Sequence, residues 1–189
     1  CGFMARIGRN RGVMLLDRLF RPRHALTAGR ALYLRAVEQS RSPALYSSLG
    51  APDSVEGRFE VYSLHVVLLL DRLRGHGDVA AEVSQALFDT YLKDLDHALR
   101  ELGVGDLSVG RKMRKLGEAF YGRGKSYGAA FSALPDTGDL IALLTRTVYA
   151  DADPEPAPRL AAYVLEQRAA LAGQPLERLL AGEVDWRAI

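Results

Sequence analysis

The chain has 189 residues, 48% of them hydrophobic and 25% charged, with a net charge of only +2. That length suits one domain with a substantial core, and the composition excludes a disordered chain. One cysteine, Cys1, excludes an intramolecular disulfide and fits a reducing compartment.

The charge is unevenly spread. Residues 1–41 hold nine arginines against Asp17 and Glu38, a local charge of +7; residues 42–105 carry −5, residues 106–128 carry +4 and the remainder −4. Two basic blocks on a near-neutral body suggest acidic contact surfaces, such as a phosphate backbone, anionic lipid or an acidic protein. Arginine outnumbers lysine 21 to 4 along the whole chain, so the Arg-rich start is not a local targeting bias. The longest aliphatic run, Val66 to Leu70, is far short of a membrane span. A bacterial cytoplasmic protein is expected, peripheral at most to the inner membrane.

Taken in chain order, Val13 to Phe20 is a short amphipathic stretch among arginines. Its apolar side could enter lipid with arginines at the headgroups, or pack on the body of the domain. Residues 6–23 are therefore a candidate contact for an anionic membrane. The pattern predicts a helix over Arg23 to Gln39, then a turn-rich connection from Ser40 to Pro52. Asp53 is placed to cap a helix running to Arg74. Val55, Phe59, Tyr62, Val66, Leu69 and Leu73 recur at helical spacing, and Val61, Leu64 and Leu68 widen the stripe, so this helix should be central. Asp78 should cap the next helix, which ends before Gly103 and carries Phe88, Leu92, Leu95, Leu99 and Leu102. A further helix is predicted from about Ser108 to Leu134, with a break near Gly122 or Gly124. Pro135 and Asp136 then open a helix through Val148. A proline-rich turn at Asp151 to Pro158, a helix over Leu160 to Leu171 and a short one over Leu176 to Ala181 complete the chain. No run alternates with period two, so the predicted fold is all-α, about six to eight helices without a sheet. Residues 1–23 form a basic N-terminal segment, and residues 24–189 the helical domain.

Candidate chemistry is sparse. Gly122-Arg123-Gly124-Lys125-Ser126 contains the Gly-Lys-Ser of a phosphate-binding loop. The required glycine five residues before Gly124 is Ala119, however, and no strand leads into the segment. His97 can share a helix face with Asp94 and Glu101, but a metal would need further ligands from elsewhere. His65 shares a stripe with Arg58 and Arg72, read as the polar edge of a buried helix. No serine sits in a nucleophile elbow. No catalytic residue, cofactor or metal is expected, and the chain is read as binding another protein.

The most unusual segment is Gly105 to Gly128. Gly110, Gly117 and Gly124 recur every seven residues, with Gly128 four further on. In a helix they make a strip without side chains, at about 1 kcal/mol each relative to alanine. Close approach by another helix would offset that, either from a partner or from within the fold. Arg111, Lys112, Arg114, Lys115, Arg123 and Lys125 surround the strip, with Tyr121 among them. The two readings are a groove for a helical or nascent segment with a basic rim, and internal packing beneath a solvated basic face.

Tyr62-Ser63-Leu64-His65-Val66-Val67-Leu68-Leu69-Leu70, Phe88-Asp89-Thr90-Tyr91, Gly105 to Lys115 and Phe120-Tyr121-Gly122-Arg123, in that order and spacing, resemble the ubiquinol–cytochrome c chaperone family. The resemblance covers roughly residues 32–144. It implies an α-helical chaperone that binds newly made cytochrome b, in nascent or apo form, and escorts it into the respiratory cytochrome bc complex. Mitochondrial relatives act with a small partner protein near the ribosome exit, which adds the ribosome as a candidate contact. The client is expected at Asp106, Arg111, Lys112, Met113, Lys115, Gly117, Phe120, Tyr121, Arg123 and Gly124. The competing reading is an RNA- or ribosome-binding helical module; DNA is not an expected partner.

Overall fold

The computed structural model describes residues 23–101 and 103–189. The expectations for the N-terminal segment, including its membrane contact, lie outside the described residues. Among those, the chain forms eight helices and no strand: α1 Arg23–Ser40, α2 Pro43–Ser47, α3 Val55–Leu73, α4 Gly77–Glu101, α5 Asp106–Ser132, α6 Gly138–Thr147, α7 Ala157–Gly173 and α8 Leu176–Leu180.

Helix α3 is the axis of the fold. Val61 and every residue from Ser63 to Leu70 are buried, and α1, α4, α5 and α7 pack around it. An apolar surface that extends around most of a helix demands neighbours on most sides. Helix α1 lies along α4 at close range because Gly29 has no side chain. A Cβ there would stand 2.6 Å from both the Ala86 Cβ and the Leu87 amide nitrogen. At the C-terminus Gly182 adopts φ +87° and presses against Ala28 and Ala31 of α1, a conformation that glycine reaches without steric penalty.

Several boundaries differ from those expected. The connection after α1 contains a short helix, α2. Ser54, not Asp53, caps α3, its Oγ accepting from the Gly57 amide at 3.1 Å, while Asp53 turns to Arg58. Helix α4 begins at Gly77, with Asp78 inside its first turn. Helix α5 runs unbroken through Gly122 and Gly124, because Phe120, Tyr127 and Phe131 anchor both halves to one core. Helix α6 starts at Gly138 because the Asp136 carboxylate accepts from the Gly138 amide at 2.8 Å, holding the preceding residues in a turn.

The C-terminal segment is strapped down by side chains that read backbone. Gln167 donates to the Arg187 carbonyl and accepts from its amide; Gln174 does the same with Asp185. Arg72 donates to the carbonyls of Leu171 and Gln174. Trp186 donates to the Arg35 carbonyl and sets its ring edge-on to His65.

Candidate functional site

Where α1, α2, α3, α4 and α5 splay apart lies a groove of about 950 Å³. The first turns of α3 and the last turns of α4 project beyond the core, so Phe59, Tyr62, Leu95 and Leu99 keep their helical register but are only partly covered. They form the groove wall with Val37 and Tyr33 of α1, Tyr46 of α2 and Leu116 of α5. An aromatic series leads inward from it: Tyr33 meets Tyr62 edge-on with centroids 5.8 Å apart, Tyr62 lies 5.0 Å from Tyr91, and Tyr91 lies 4.6 Å from Phe120.

Polar groups sit at defined points around this apolar surface. The Tyr33 hydroxyl donates to the Asp94 carboxylate. The Tyr46 hydroxyl donates to the Ser40 carbonyl at 2.8 Å, and the Arg58 guanidinium lies over its ring. Burial raises the pKa values of Tyr33, Tyr46 and Tyr62, so all three hydroxyls stay neutral at ordinary pH. The Tyr62 hydroxyl is buried beside that of Tyr33.

Helix α5 separates the residues assigned to it from the sequence. Asp106 opens the helix. Arg111, Lys112, Arg114, Lys115 and Lys125 are exposed and have no acidic partner among the described residues. Tyr121 is also exposed, and Met113 is half-buried. Phe120 belongs to the core. Arg123 makes a bidentate pair with Glu60 of α3 at 2.9 and 2.6 Å, so its guanidinium holds α5 to α3. The glycine strip is divided as well. At Gly110, Gly117 and Gly122 an added Cβ would meet nothing within 4 Å; Gly124 is buried; and at Gly128 a Cβ would stand in ordinary contact with the Arg74 guanidinium, at 3.5 Å. No helix of the fold exploits the bare backbone at Gly110, Gly117 or Gly122 among the described residues.

The other candidates resolve differently. Gly122 to Ser126 lies inside α5, where backbone amides bond along the helix rather than wrapping a phosphate. Asp94 faces Tyr33, leaving His97 beside Glu101 alone at 3.4 Å on an exposed face. No group of three or more His, Cys, Asp or Glu among the described residues could hold a metal ion. His65 is not at a polar edge but wholly buried: its Nδ1–H donates to the Val61 carbonyl at 2.8 Å and its Nε2 accepts from the Tyr163 hydroxyl at 2.7 Å. Burial lowers its pKa to about 4, so the ring is neutral and structural.

Sequence reasoning missed the groove as a site. Its residues stood in the stripes read as core, and the available signal was that the α3 and α4 stripes extend to the ends of long helices, past the reach of their neighbours.

The described residues form an all-α scaffold with an aromatic, partly polar groove and a basic outward face on α5. The chain belongs to the ubiquinol–cytochrome c chaperone family, whose description matches residues 47–186. It is 26% identical over 163 residues to ubiquinol-cytochrome-c reductase complex assembly factor 1 of Xenopus laevis, covering 84% of this chain and 80% of that protein. Its fold is similar to the crystal structure of the Cbp3 homolog from Brucella abortus, with a TM-score of 0.78 and 36% identity over 92% of this chain and 97% of that one.

Proposed function

We propose that this protein is an assembly chaperone for ubiquinol–cytochrome c reductase, that its client is newly made cytochrome b, and that the groove holds an apolar client segment. Membership of the chaperone family supports the class, and the name of the frog relative supports the complex. The observation that carries the site is the groove itself, a largely apolar cavity of about 950 Å³ walled by Phe59, Tyr62, Leu95 and Leu99. An apolar helix on its way to a membrane must be shielded from water, and its free energy of burial grows with apolar contact area. On this reading Leu116, the α5 residue in the groove wall, packs against that segment.

Site-specific photo-crosslinking in cells tests the proposal. Crosslinkers at Phe59, Leu95 and Leu99 are expected to capture cytochrome b. A crosslinker at exposed Val79, at the far end of α4, is not. Equal capture from Val79, or no cytochrome b from the three groove positions, overturns the assignment.

A further inference from the structure

The outward face of α5 carries more unbalanced charge than client binding in the groove requires. Arg111, Arg114, Lys115 and Lys125 fall within about 100° of one another around an α-helix, so they share one side. That side is turned away from Phe120 and Tyr127, which are buried. All four cations are exposed, and none has an acidic partner among the described residues; Glu118 is the one acid on the same face. They extend over about 21 Å at 1.5 Å per residue. Gly122 lies among them with open space around it, and exposed Tyr121 borders them.

We infer that this face is a docking surface for the phosphate headgroups of an anionic bilayer. The outward face of a helix presents its charges to a plane together, each cation adding to the attraction of an anionic surface. An exposed tyrosine at the border suits the headgroup level, where an amphipathic ring has an apolar and a wet side. Single-stranded RNA is the less suitable occupant, because such sites combine a basic groove with several stacking rings, and here the surface is an outward helix face and Tyr121 is the one exposed aromatic on it. The residues concerned are not those of the groove, so this inference stands apart from the identity of the client.

Flotation of the full chain with phosphatidylcholine vesicles, with and without phosphatidylglycerol, tests it. Binding is expected only with phosphatidylglycerol and should weaken as salt rises. Replacing Arg111→Gln, Arg114→Gln, Lys115→Gln and Lys125→Gln together should weaken it at least about tenfold. The charge-preserving variant Arg111→Lys with Arg114→Lys should bind as the parent does. Helical circular dichroism and melting, unchanged in both, exclude a folding defect. The inference is overturned if the parent does not bind anionic vesicles, if the glutamine variant binds them undiminished, or if both bind phosphatidylcholine alone equally. It is also overturned if single-stranded RNA displaces the vesicles from the parent and the glutamine variant loses RNA binding to the same degree, which would make the face a nucleic-acid surface.

Discussion

Replacing Arg123 by methionine keeps most of the apolar stem and removes the charge that answers Glu60. The Glu60 carboxylate is 11% exposed and the Arg123 guanidinium 30%, and the carboxylate raises the arginine pKa further above its usual value. Losing one partner of a buried pair costs about 3–5 kcal/mol. Solvent reaches the arginine side here, so about 2 kcal/mol is expected for Arg123→Met. For a chain of this size that lowers the melting temperature by about 4–8 °C. Removing both charges, with Glu60→Leu and Arg123→Met, also removes the desolvation of the carboxylate and should return stability to within about 1 kcal/mol of the parent. Urea unfolding of the parent, two single variants and the double variant measures the coupling directly. A single variant as stable as the parent, or a double variant that loses the sum of the two singles, refutes this account of the pair. The same proteins decide whether Arg123 has the contact role expected from the sequence: client capture lost in Arg123→Met at unchanged stability would restore that role.

Three further outcomes are expected. His65 takes a proton only near pH 4, whereas an unfolded histidine does so near 6.5, so stability falls as pH drops through that window and by up to about 3 kcal/mol below it. Urea titrations at several pH values should show that His65→Phe lacks this component, about 1.4 kcal/mol per pH unit; equal slopes in both proteins refute it. Gly29→Val forces α1 off α4, since its Cβ would start 2.6 Å from Ala86 and Leu87; a loss of about 2–3 kcal/mol or more is expected in thermal melts. Gly110→Ala and Gly117→Ala meet open space and should each stabilise the isolated protein by about 0.5–1 kcal/mol. If client capture then falls in a pull-down, those glycines are kept for a partner that approaches the backbone; unchanged capture removes them from the site.

Helix existence was legible in the sequence because burial on one side of a helix imposes a 3.6-residue repeat that survives whatever the neighbours are. The α3 stripe from Val55 to Leu73 and the α4 stripe from Phe88 to Leu99 show this, as do the stops at Gly75 and Gly103, both at positive φ. The order and spacing of Tyr62–Leu70, Gly105–Lys115 and Phe120–Arg123 carried the family. Periodicity does not record how far a neighbouring helix reaches. It therefore could not divide one stripe into Phe88, buried in the core, and Leu99, left at the groove. Nor could it assign partners to charges: Arg123 and Arg111 look alike in the sequence, yet one is held by Glu60 from 63 positions away and the other faces outward. The sequence by itself determined the helices other than α2, the central position of α3 and the family, because these rest on local spacing. The tertiary structure alone decided which apolar residues, cations and glycines are left uncovered, because exposure depends on chain segments distant in sequence.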